Sequence, residues 1–187
     1  MVAGKSCAGS SSLRGVLKER TRALHEELDR SIGHGVLDPQ GYAAFLAVQY
    51  SARAPIERWA AKAMAADIAP PATAPLIAAD LAELGMSLPR EARFAVSDRA
   101  DPIGAAWALG GSSMGNRALF VQRRKAGFGE AARFLGDPAT AEYFRRILPR
   151  LAEPVSDDAA DAAVMAAEAV FDTFLTAVHA LNERAAA

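Results

Sequence analysis

A chain of 187 residues is long enough to bury a core without disulfides or a structural metal, and short enough to form one domain. With 21 Lys and Arg against 22 Asp and Glu, the net charge of -1 points away from nucleic acid and from a polybasic membrane-surface protein. The single cysteine, Cys7, excludes an intrachain disulfide and a cysteine-based metal cluster. Alanine is abundant, Val and Ile are few, and no Val/Ile/Thr alternation is sustained, so the composition predicts an all-α protein.

Residues 1–12 read as a small-residue leader without the apolar stretch of a signal peptide. The expected domain spans 13–187. Its first helix runs from Leu13 to Ser31, with Ser11 or Ser12 as N-cap and Leu13, Val16, Leu17, Thr21, Leu24, Leu28 and Ile32 as one apolar stripe. Gly33 and Gly35 end it. Asp38-Pro39 opens a second helix bearing Tyr42, Phe45, Leu46 and Gln49, which Pro55 either kinks or divides from a segment reaching Ala66. The Pro-rich stretch 68–75 is a connection, followed by a helix over Leu76–Leu84 and irregular chain over 87–100. A long helix from Pro102 to Lys125 follows, then a connection over 127–136. Further helices cover Pro138–Leu151 and Asp157–Glu183. No run approaches about 18 uninterrupted apolar residues, so no membrane span and a cytoplasmic location are expected.

The helix from Pro102 is unusual because it carries Gly104, Gly110, Gly111 and Gly115. Each interior glycine costs about 1 kcal/mol relative to alanine, so the cluster predicts a bend, a close backbone approach, or both. Gly111 and Gly115 share a face. Helix–helix packing through small residues is the plainer explanation for them; the other is room for a flat ligand. Among the histidines, His34 lies between glycines and should be exposed, and a structural role is expected for His179 in the last helix. His25 falls at the edge of the first helix's apolar stripe, where it is either a hydrogen-bonded core residue or a ligand. Lys18 lies on nearly the same face, about 10 Å along the axis, and Arg22 and Arg14 are close by. That span suits an imidazole on iron and an ammonium on a propionate of the same ring. The runs Arg123–Lys125 and Arg145–Arg146 are either solvated helix faces or contacts for an anionic partner. Glu-x-x-His pairs, His-Glu-x-x-His and a Walker A loop are all absent, which sets aside di-iron, zincin and nucleotide chemistry.

Leu17–Asp29, centred on His25, resembles the opening helix of heme oxygenases, and Leu109–Leu119 resembles their distal helix. The likeness is greatest to the bacterial, biliverdin-producing branch that supplies phytochrome-type photoreceptors. It implies a single-domain helical bundle in which haem, both cofactor and substrate, lies between the first helix and a kinked Gly-rich distal helix. His25 would be the iron ligand. Gly111, Ser112, Gly115 and Asn116 would form the reactive distal side, where dioxygen binds. Cofactor contacts would come from Lys18, Arg22, Trp107, Gly110, Gly111, Ser113, Met114, Gly115, Arg146 and Arg150. Electrons would come from a ferredoxin or flavin reductase, and the products would be biliverdin, iron and carbon monoxide. Asn116 departs from the family pattern by replacing a glycine. Two further readings stand beside this one: a haem carrier or sensor that does not turn over, and a cofactor-free helical interaction domain.

Overall fold

The structure, a computed structural model, describes residues 12–32 and 37–185. Every regular element among them is helical: α1 (Leu13–Arg20), α2 (Arg22–Ile32), α3 (Pro39–Ala63), α4 (Ala74–Glu83), α5 (Pro102–Gly111), α6 (Ser113–Lys125), α7 (Arg133–Gly136), α8 (Ala139–Ala152) and α9 (Asp157–Ala185). Cys7, Ser11, Gly33, His34 and Gly35 lie outside the described residues.

The central element is α9, which packs against α5, α3, α2 and α1. Ala163, Val164, Ala166, Ala167, Val170 and Phe174 on α9 are buried in the main apolar cluster with Ala105, Ala106 and Leu109 of α5 and Ile56 of α3. Small residues let these axes approach closely. A Cβ added to Gly104 would sit 1.7 Å from the Ala163 carbonyl oxygen, so α5 meets α9 backbone to backbone. A second apolar cluster joins Tyr42, Phe45 and Leu46 of α3 to Ile77 and Leu81 of α4 and to Phe134 and Leu135 of α7. By length and composition α9 could cross a membrane, because scattered Ala and few charges raise its mean hydropathy without a long uninterrupted run. In this fold 56% of that stretch is buried as the core of the bundle.

Three expectations are corrected. The first helix is two segments, α1 and α2, interrupted at Thr21. Thr21 is buried and its Oγ1 donates to the Leu17 carbonyl at 2.8 Å, a back-bond that loosens the turn while Thr21 N–H and His25 N–H keep their i−4 partners. The helix expected over Pro102–Lys125 is likewise broken, at Ser112, into α5 and α6. Pro55, by contrast, neither divides nor ends α3. The Ser51 carbonyl that Pro55 cannot reach accepts from Ala92 N–H at 2.9 Å, and Ser51 Oγ donates to the Arg90 carbonyl at 2.8 Å. The proline thus ties the irregular stretch 87–100 to α3. Finally, the connection over 127–136 contains α7. Buried Asp80 organises it by accepting from Arg133 N–H, Phe134 N–H and Arg133 Nη1 at 3.0, 2.9 and 3.1 Å.

At the termini of the main helices the capping is ordinary. Ser12 accepts from Gly15 N–H at 3.3 Å and Asp101 from Ile103 N–H at 2.9 Å. The start of α4 is capped from a distance: Glu57 on α3 accepts from Thr73 N–H, Thr73 Oγ1 and Ala74 N–H.

Candidate functional site

α2 is strongly amphipathic yet contributes no buried residue. Its apolar side, Leu28 and Ile32 included, packs partly against the core and borders a cleft of about 760 Å³. That volume lies within the range of sites for small molecules and cofactors, and the lining is mainly apolar. One wall is α1–α2, with Arg14, Lys18, Arg22 and His25. The facing wall is the α5–α6 junction, with Trp107, Gly111, Ser112, Met114, Gly115 and Asn116. Phe45, Gln49 and Arg53 of α3, Phe144 of α8, and Val170, Phe171 and Phe174 of α9 close the inner end.

His25 is not a core residue. Its side chain is 59% exposed at the cleft, its ring lies edge-on to Phe171 at 5.8 Å, and Nδ1 is 3.0 Å from Asp29 Oδ2 one turn later. A donor–acceptor pair between Nδ1–H and that carboxylate fixes the tautomer with its lone pair on Nε2, the state in which an imidazole binds a metal. Trp107 meets the same Phe171 edge-on at 6.3 Å, so the two cleft walls share an aromatic neighbour. Lys18 and Arg22 share the α1–α2 wall with His25, opposed by Glu26 and Asp29.

The glycines divide into two groups. A Cβ on Gly110 would lie 2.6 Å from the Phe144 ring and 3.2 Å from Tyr143, so this buried glycine packs α5 against α8 and does not line the cleft. A Cβ on Gly111 or Gly115 would meet nothing within 4 Å. Close packing therefore explains Gly104 and Gly110, while the space beside Gly111 and Gly115 belongs to the cleft. Gly110 and Gly111 are successive residues of α5 and point about 100° apart around its axis, so one meets α8 and the other the cleft.

Of the other expected cofactor contacts, Met114 is 70% exposed in the cleft wall, whereas Ser113 is buried outside the lining. Arg146 and Arg150 also lie outside it: Arg146 sits over the Tyr143 ring at 5.6 Å, and Arg150 Nη1 bonds Asp67 Oδ2 at 2.8 Å. Both are on α8, whose cleft-facing side chain is Phe144. His179 is exposed on α9, away from the cleft. Nor is the run Arg123–Lys125 a uniform solvated face: Arg123 is buried with its guanidinium 3.4 Å from the centre of the Tyr42 ring.

Sequence reasoning missed Gln49 and Arg53 as cleft residues. Arg53 is only 2% exposed, and its Nη2 donates to Ser112 Oγ at 2.7 Å, linking α3 to the α5–α6 break. Ser112 Oγ in turn donates to the Leu109 carbonyl at 2.8 Å. An arginine among alanines on a core-facing helix, in register with Gln49, is the one sequence signal that could have raised it.

No group of three or more potential metal-ligating side chains occurs among the described residues, so a metal here would have to arrive with other ligands, as iron does in a macrocycle. In comparisons with known proteins, no family model, curated protein or solved structure matches the chain.

Proposed function

We propose that the cleft binds haem, with His25 as iron ligand, and that the protein is a haem-degrading monooxygenase of heme oxygenase-like fold. What carries this is one juxtaposition: an imidazole with Asp29 on Nδ1, and across the cleft a wall where Gly111 and Gly115 present no side chain. The donor set fits the group. One neutral nitrogen ligand serves iron already held by four ring nitrogens, the apolar lining suits a porphyrin, and Lys18 and Arg22 suit its carboxylates. Bound haem would supply the redox chemistry that activates dioxygen and leads to opening of the ring.

The chain's own residues do the rest. Asp29 orients the His25 ring. Phe45, Leu109, Phe171 and Phe174 exclude water from the inner end of the cleft. Gly111 and Gly115 leave space for a diatomic molecule on the side facing His25. Asn116, on the same wall, offers an amide donor to whatever occupies that space. Ser112 is a poor proton donor to a ligand, because its one hydroxyl proton is committed to the Leu109 carbonyl. The electron donor belongs to the class of ferredoxins or flavin reductases, and biliverdin would be available to a phytochrome.

Adding haemin and then ascorbate under air tests the assignment. The expected result is a Soret shift, followed by its decay and growth of a broad red band. A stable complex that does not decay would make the protein a haem carrier, and no Soret shift would leave a helical interaction domain.

A further inference from the structure

Among the described residues, Arg53 is a buried cation with no carboxylate directly on it. Its Nε donates to Gln49 Oε1 at 2.9 Å, Nη1 to Thr73 Oγ1 at 3.4 Å and Nη2 to Ser112 Oγ at 2.7 Å, all neutral acceptors. The nearest anion, Glu57, is one residue removed: Thr73 Oγ1 donates to it at 2.6 Å, and its oxygens also take the Thr73 and Ala74 amides. A guanidinium has five N–H donors, so among the described residues these partners occupy three and leave one on each terminal nitrogen. Phe134 and Phe174 flank the group at 5.2 and 5.9 Å from their ring centres. Burial pushes the Arg53 pKa down, and Glu57 only partly opposes it.

Burying a charge with no counter-ion directly on it is costly, and hydrogen bonds to neutral acceptors offset that cost only in part. Arg53 lines the inner end of the cleft, and its anchor, Ser112, stands beside Gly111 in the wall facing His25. We propose that Arg53 is the anion-holding residue of the cleft, donating a hydrogen bond from its guanidinium to a small anion, or to the negative end of a dipolar ligand, on the side opposite His25. It is a positioning residue, with Ser112 and Gln49 fixing the plane of its fork. The proposal rests on haem occupying the cleft.

Ligand affinity of the ferric haem complex tests it without turnover. Fluoride is the anionic probe and imidazole the neutral one, titrated at one pH into wild type, Arg53→Met and Arg53→Lys. Arg53→Met should lose fluoride affinity about tenfold or more, the loss of one charged hydrogen bond, with imidazole affinity within about threefold, although Tm falls because Gln49 and Ser112 lose a donor. Arg53→Lys keeps the charge but cannot bridge Gln49, Thr73 and Ser112 together, so its fluoride affinity should fall between the other two. It gives the same comparison if Arg53→Met does not fold. Equal fluoride affinity in all three proteins, or parallel loss of both ligands, would overturn the proposal and make Arg53 a structural tie. Failure of wild type to shift the Soret band would instead overturn the haem assignment and this proposal with it.

Discussion

Gly115 separates space kept for a ligand from space kept for packing, because adding a methyl group there should raise stability. The residue is the third of α6, and an added Cβ meets nothing within 4 Å. Replacing such a glycine by alanine gains about 0.4–1 kcal/mol from the lost backbone freedom of the unfolded chain. In a protein of this size that is a rise in Tm of roughly 1–4 °C. Gly104 is the internal contrast on the preceding helix, since its Cβ would overlap the Ala163 carbonyl at 1.7 Å. Gly104→Ala should therefore lower stability by about 3 kcal/mol, as overpacking against backbone does. Thermal unfolding followed by circular dichroism reads both. In the haem complex, Gly115→Leu should keep the raised Tm yet lose affinity for carbon monoxide, because its side chain enters the cleft beside Gly111. A lower Tm for Gly115→Ala, or unchanged carbon monoxide affinity for Gly115→Leu, would refute the view that this glycine is kept for a ligand.

Other perturbations have equally definite expectations. Asp80→Ala removes the acceptor of two backbone amides and of Arg133, so stability should fall by about 3 kcal/mol, seen as a Tm lower by roughly 6–12 °C. Asp29→Ala should leave folding intact, since that contact is exposed, but weaken haemin binding about tenfold or more in a Soret titration. The Ala131 N–H and then Arg133 hold the Glu83 carboxyl below its ordinary range, and Arg58 does the same for Glu91. Both pKa values are lower folded than unfolded, so their stabilisation is complete above about pH 5 and is lost as pH falls through the lowered values. Tm measured from about pH 6 to about pH 3 should drop less steeply for the double variant Glu83→Gln, Glu91→Gln than for wild type.

Much of the bundle could be read from local pattern. The stripe on the first helix, the Asp-Pro starts of α3 and α5, and the length of α9 depend on neighbours three or four residues away. His25, Lys18, Trp107, Gly111 and Gly115 line one cleft, formed between an amphipathic and a glycine-rich surface. What escaped was long-range. Arg53 finds its partners 20 and 59 residues along the chain, and Arg150 is drawn from the cleft by Asp67, 83 residues away. Whether a glycine faces a helix or a cavity is also invisible locally. Gly110 and Gly111 are adjacent, and only the position of Tyr143 and Phe144 on α8 tells them apart.

The iron ligand is the most direct point of test. A crystal structure of the protein with haemin should show the ring between α2 and the α5–α6 break, iron bonded to His25 Nε2, and Asp29 still on Nδ1. Haem bound elsewhere, iron held by another side chain, or a ring lying outside that cleft would contradict the assignment.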